Sequence, residues 1–447
     1  MKIELSEHFT WRKLLRYSLP AIGQMLAITS FQLVDGLFVS NYLGVTPFAA
    51  VNFISPVFLV LYGLGFMFGS GTSALVAQLM GEGERQKSRE VFTLSMVAMV
   101  LLGAVLGALA TALMPALARL VGTTEAAFPY CVDYGRLLTA FLPAYLVNAA
   151  FQSLWITAEK PVLGMWVSVV NGALNVLLDW LFMGPLGWGV RGAALATSLS
   201  ALVTAGFTAV YFLRPNASSL RLVRVNLAHL RELGQICGNG FSEMVDGLTA
   251  NLTQLVINGQ LTRYIGEIGV AAMGVYNYVI ELFMAVFFGI SSTMVTVVGY
   301  QYGAKNRKEL DSLARTGSLL SVGLGVAMCL LCAVCAGPIA SVYLGYDDAA
   351  RDLAMQALRI SSLACLFYGF NLAVSSVFTG LGDGLASAVI AVCESLAAPV
   401  AMVYLVPALF GANAIWYATP LASLITAILC AAMLKWRYPR SADVSRA

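Results

Sequence analysis

Asn41-Tyr42-Leu43-Gly44 closes the first long apolar run of this chain, and Arg263-Tyr264-Ile265-Gly266 closes another 222 positions later. The same step pairs Ala49 and Ala50 with Ala271 and Ala272, Phe66 with Phe288, Gly81 with Gly303 and Arg85 with Arg307. Far downstream it still pairs Gly189 with Gly411, Ala196 with Ala418 and Thr197 with Thr419. One offset held over roughly 150 residues marks a duplication. Six apolar stretches, a basic connector and six more stretches make up the chain. Six is even, so each half enters and leaves on the same side. Parallel repeats of this kind build secondary transporters, with sites between or within the halves.

The apolar stretches fall near 14–40, 48–80, 91–118, 129–157, 162–183, 190–213, 232–262, 268–301, 311–343, 350–380, 386–409 and 412–436. Runs of this length and hydropathy read as membrane spans. They must be helices, because a helix bonds its own backbone where no water is available. The short alternating segments of a barrel are absent. The composition agrees: 59% of residues are hydrophobic and 11% charged, with a mean hydropathy of +0.80, against about 25% charged in soluble domains. The expectation is an all-α integral membrane protein of twelve transmembrane helices in two pseudo-symmetric six-helix bundles. Its parts are 1–213, a connector 214–231 that is too short to fold alone, and 232–447.

The basic residues sort by side. Lys2, Arg12, Lys13, Arg16, Arg85, Lys87, Arg89, Lys160, Arg214, Arg221, Arg224, Arg231, Lys305, Arg307, Lys308, Arg315, Lys435, Arg437, Arg440 and Arg446 share one face in the twelve-span scheme. Arg119, Arg191, Arg263 and Arg351 take the other. The positive-inside rule then puts both termini in the cytoplasm. Residues 1–13 are charged and amphipathic rather than a leader, so the first span is expected to stay. Cys329, Cys332 and Cys335 are spaced along one apolar helix, which suits packing better than the wrapped loop of an iron–sulfur site. The two histidines, His8 and His229, lie outside the spans. No nucleophile–base or zinc constellation emerges, so no enzyme, no cofactor and no nucleic-acid partner are expected.

Charge inside a membrane is costly and usually functional. Within the spans stand Asp35, Asp179, Glu243, Asp246, Glu281 and Glu394, with Arg136 and Arg359 nearer helix starts. An interior rich in acids attracts cations. Asn171, Asn175 and Asp179 recur at i, i+4 and i+8, so they share one helix face. With Asp35 they offer an all-oxygen site for a proton or a hard cation such as Na+. The seventh span carries a polar stripe of Asn239, Glu243, Asp246, Thr249, Thr253 and Gln254. Glu243, Asp246, Thr253, Glu281, Asn371 and Glu394 are the candidates for the wall of a substrate cavity.

Several ordered motifs carry a resemblance. They include Ser18-Leu19-Pro20-Ala21, Val34-Asp35, Phe38-Val39-Ser40-Asn41 and Ala49-Ala50-Val51-Asn52. Met67-Phe68-Gly69-Ser70-Gly71, Leu79-Met80-Gly81-Glu82-Gly83, Gly187-Trp188-Gly189-Val190-Arg191-Gly192 and Gly299-Tyr300-Gln301-Tyr302-Gly303 continue them. Together they span both halves, and the chain resembles the multidrug and toxin extrusion (MATE) family, in its MepA-like bacterial branch. The resemblance implies a V-shaped, two-lobe monomer of the bacterial cytoplasmic membrane. It implies export of amphipathic cations in exchange for H+ or Na+ by alternating access. Matched by position, its coupling-ion residues here are Asp35, Tyr134, Asn175, Asp179 and Thr197. Gln152 stands where the family often has Asn, so the amide is one carbon longer. Ion binding at Asp35 and Asp179 would let the first span repack near Pro20. A flippase for amphipathic lipids of the same superfamily is the alternative, and its cavity would be cationic rather than acidic.

Overall fold

A computed structural model describes residues 4–345 and 347–443; Lys2 and Arg446, counted above among the basic residues, lie outside them. The first half gives helices α1 Trp11–Leu43, α2 Val45–Gly81, α3 Arg85–Leu120, α4 Phe128–Ala140, α5 Leu142–Thr157, α6 Pro161–Met183 and α7 Gly189–Leu213. The second gives α8 Leu230–Tyr264, α9 Glu267–Gly303, α10 Arg307–Leu344, α11 Asp348–Ser361, α12 Cys365–Gly380, α13 Gly384–Val392, α14 Ala398–Phe410, α15 Ala418–Trp436 and the short α16 Tyr438–Ser441. Ten of the described helical segments are long and apolar enough to cross a membrane, and the bent pair α4 and α5 makes an eleventh. The twelfth is α8, 35 residues long. Its polar stripe lowers its hydropathy, while Leu252 and Leu255 on the other side are exposed.

Two of the expected spans are not simple helices. The stretch 129–157 bends by 62° between α4 and α5. Pro143, second residue of α5, has no N–H to return to the Thr139 carbonyl, and its ring disfavours a helical Leu142. The stretch 386–409 widens into a π turn at Cys393–Ala397. Pro399 lies just beyond, and it likewise leaves the Ser395 carbonyl without its helical N–H partner.

The chain forms two compact units, Gly23–Met244 and the remainder up to Ile22 together with Val245 onward. They are called the N unit and the C unit below. The unit limits lie inside α1 and α8, whereas the repeat limits read from the sequence lie in the 214–231 connector. The first half of α8 belongs with the N unit because it crosses α2 at backbone distance. A Cβ on Gly240 would stand 1.9 Å from the Met67 carbonyl oxygen, and one on Gly71 would stand 2.0 Å from that of Ile236. Only glycines fit this crossing.

In the C unit, the loop before α13 is tied to the chain end. Asp383 accepts from Arg437 Nε at 2.7 Å and Nη2 at 2.8 Å, and from Ser441 Oγ at 2.6 Å. Burial pushes the Asp383 carboxyl up, but the bonds from Arg437, Ser441 and the Ala386 N–H outweigh it and hold the group below the usual range.

Gly240→Ala is expected to lower the thermal midpoint of the purified protein by several degrees, a cost of about 1–3 kcal/mol, because backbone rather than a side chain blocks the new methyl. For Asp383, a carboxyl held low in the folded state adds stability at pH above its unfolded value near 4, and that stability is lost as pH falls through the folded value. Asp383→Asn should therefore cost stability at pH 7 and flatten the acid limb of a thermal-midpoint profile between about pH 4 and pH 3.

Candidate functional site

Asp35 and Asp179 meet because Gly172 lets α1 lie against α6. A Cβ on Gly172 would stand 1.9 Å from the Phe31 ring. One turn beyond Phe31, the Asp35 carboxyl comes within hydrogen-bonding reach of that of Asp179. Asp179 is fully buried. No neighbouring donor satisfies Asp35 Oδ1 or either oxygen of Asp179. Asn175 is adjacent, but its Nδ2 donates to Thr197 Oγ1 at 3.3 Å. Two facing carboxyls without donors call for a proton or a cation between them, since like charges so close and so dry repel strongly. Oxygens of this kind suit a proton or Na+ rather than a soft metal.

The other expected members divide. Tyr134 is buried and lies within electrostatic range of both acids. Tyr145, which nothing in the sequence singled out, shares that range and pairs with Ser198 at 3.1 Å. Gln152 takes a different partner: its Nε2 donates to Tyr62 Oη at 3.3 Å. Its longer side chain thus serves an aromatic group, where Tyr62 stacks on Phe58 and meets the Phe66 edge.

One turn below Asn175, the amides form a closed network. Asn148 Nδ2 donates to the Ala201 carbonyl at 2.9 Å. Thr204 Oγ1 lies 3.2 Å from Asn148 Oδ1 and 3.1 Å from Asn171 Oδ1. The C unit repeats part of this arrangement 222 or 223 positions on. Asn371 Nδ2 donates to the Ser423 carbonyl at 2.9 Å, as Asn148 does to Ala201. In the place of Asn171 stands Glu394. It accepts from Asn371 Nδ2 at 2.8 Å and from Ser423 Oγ at 2.6 Å.

Glu394 occupies the π turn, and the freed Ser395 carbonyl beside it accepts from Thr253 Oγ1 at 2.6 Å. Asp246 bonds to Ser395 and feels the charge of Glu394. The structure therefore gathers Asp246, Thr253, Asn371 and Glu394. Glu281 is exposed on α9 and takes no part in the bonds of Glu394. Glu243 lies on the N-unit side of the limit within α8, so it and Asp246 fall in different units. Among the described residues, no three His, Cys, Asp or Glu side chains are placed to share a metal.

The sequence model of the MatE family matches residues 20–181 and again 244–405. The multidrug export protein MepA of Staphylococcus aureus (strain MRSA252) is 21% identical over 428 residues, covering 95% of this chain and 93% of that protein. A solved structure of MATE in complex with MaL6 superposes with a TM-score of 0.91 at 22% identity, covering 98% of both chains. An outward-facing multidrug resistance MATE family transporter of the MOP superfamily gives 0.90 at 22% identity, again over 98% of each chain.

Thr204→Val keeps the shape of the side chain but removes the hydroxyl shared by Asn148 and Asn171. The single O–H proton shared by the two amide oxygens is then lost, and the thermal midpoint should fall by an amount corresponding to about 1 kcal/mol. Thr204→Ser, which restores the hydroxyl, should recover most of it.

Proposed function

The chain belongs to the MatE family, and from that premise we propose that it is a secondary multidrug exporter that exchanges amphipathic organic cations for H+ or Na+. The observation that carries this is the pair of facing carboxyls at Asp35 and Asp179 in the N unit, of which Asp35 Oδ1 and both Asp179 oxygens are buried without a donor. A monovalent cation entering there neutralises one charge and supplies the missing contact. Asn175 and Thr197 stand beside the pair as further oxygen and amide groups. Tyr134 is buried within electrostatic range of both acids.

The acidic group around Glu394 in the C unit serves the organic cation. Glu394 and Asp246 supply charge, and Thr249, Thr253 and Ser423 supply hydroxyls. An acidic lining favours cationic amphiphiles and opposes the phosphate of a lipid headgroup, which weighs against the flippase reading. For exchange to be coupled, ion and drug must each differ in affinity between the two access states. Loading the carboxyl pair changes the charge between α1 and α6, so this pair of helices is the element that reads ion occupancy. The basic face is the cytoplasmic one, and the ion enters from the opposite side.

Ethidium efflux from proteoliposomes under a separately imposed pH or Na+ gradient tests the reading. Wild type should run under one gradient and not the other, and Asp35→Asn at equal expression should slow it at least tenfold, about 1.4 kcal/mol or more. Asp35→Asn at wild-type rate would sink the role of the pair. Efflux by neither gradient would sink the exchange itself.

A further inference from the structure

The chain has two histidines, His8 and His229, and they stand 221 positions apart, one position short of the repeat offset. Each lies in the segment that leads into the first helix of a repeat. Each meets a glutamate near the head of the third helix of the opposite repeat. His8 Nδ1 lies 2.6 Å from Glu309 Oε2, near the start of α10. His229 Nε2 lies 3.0 Å from Glu90 Oε2, in the first turns of α3.

The histidine contacts belong to longer straps. Ahead of α1, Leu5 and Phe9 are fully buried in the C unit. The Leu5 carbonyl accepts from Gln301 Nε2 at 2.9 Å, and the Phe9 N–H donates to Glu309 Oε1 at 2.8 Å. Ahead of α8, Leu220 is fully buried in the N unit. There the Val223 N–H donates to Thr93 Oγ1 at 3.0 Å, and Asn226 Nδ2 to Glu90 Oε2 at 2.7 Å.

The helices that follow repeat the same exchange. The first part of α1 packs with the C unit, where a Cβ on Gly289 would stand 2.6 Å from the Ile22 nitrogen. The first part of α8 packs with the N unit at the Gly71 and Gly240 crossing. The chain then changes unit at Ile22–Gly23 and at Met244–Val245, again 222 positions apart. Two straps, each made of one repeat and seated in the other, must both yield if the two repeats are to reorient.

We propose that the Glu309 strap (residues 4–10) and the Glu90 strap (residues 219–229) are reciprocal latches of a single conformational exchange, released together. The inference needs the two-state exchange of the proposed transporter but neither its drug nor its ion. It is read without transport, so it and the transport reading fail separately.

The test is hydrogen–deuterium exchange of the full chain in lipid nanodiscs, with no gradient and no drug. Glu309→Ala should speed exchange of residues 4–10 about tenfold, as expected for lost buried hydrogen bonds. The result that matters is at the distant strap. Residues 219–229, which lie in the other unit, should also exchange at least threefold faster. Glu90→Ala should loosen residues 4–10 by the same factor, because coupling between two sites is reciprocal. His8→Ala, at a side chain 64% exposed, is the gentler variant and should show the same pattern at smaller size. Residues 219–229 unchanged in both Glu309→Ala and His8→Ala would overturn the proposal.

Discussion

A polar side chain within a bilayer has no water to fall back on, so it must find partners in the protein or bring in an ion. Most of the deep polar groups described here are arranged by that constraint. Asn148, Asn171 and Thr204 close on one another and on a free carbonyl. Thr72 and Ser95, Ser73 and Thr157, and Ser291 and Ser376 pair off as neighbours on adjacent helices. Against that background the Asp35–Asp179 pair stands out. Asp35 Oδ1 and both oxygens of Asp179 are buried without a donor, and the nearest amide is committed to Thr197. Gln24 Oε1 and Gln260 Oε1 are buried in the same way, but they are neutral; a pair of acids facing each other costs far more, which is why the pair carries the functional reading.

Proline does more in this fold than interrupt helices. At Pro399 the lost N–H exposes the Ser395 carbonyl, Thr253 takes it up, and the same distortion presents Glu394 to Asn371 and Ser423. The π turn, the carboxylate and the threonine of α8 are thus one local solution to one missing hydrogen bond. The bend after α4 has the same origin in Pro143, and it lets α4 and α5 follow two directions within one membrane crossing.

The duplication, the helical class and the number of crossings were legible because hydropathy and a fixed offset act over hundreds of residues. The shared helix face of Asn171, Asn175 and Asp179 was legible too, since their spacing needs only helical geometry. What could not be read was partner choice. Nothing in the sequence says that Gln152 turns to Tyr62, or that Gly172 makes room for Phe31, since these depend on which helices touch. The histidines were read only as lying outside the spans. They stand within one position of the repeat offset, but their glutamates lie on the other repeat and only the folded chain brings them together.

The two polar networks share a frame, with Asn148 and Asn371 donating to the carbonyls of Ala201 and Ser423, so the glutamate at 394, where the N unit has Asn171, is informative. With an asparagine there, Asp246 would be the acid left in that group. With a glutamate there, each unit has one carboxylate centre, but on different helices: α1 and α6 in the N unit, the π turn and α8 in the C unit. A transporter that must hold a small ion and a large organic cation at different moments of a cycle benefits from that separation. The small, dry site at Asp35 and Asp179 suits an ion that can shed its water. The site at Glu394 has hydroxyls and a second acid spread over two turns of α8, which suits a larger and more diffuse charge. On the proposed reading, gene duplication supplied two similar frames, and acids placed differently in each, Asp35 and Asp179 in one and Asp246 and Glu394 in the other, divided the labour between them.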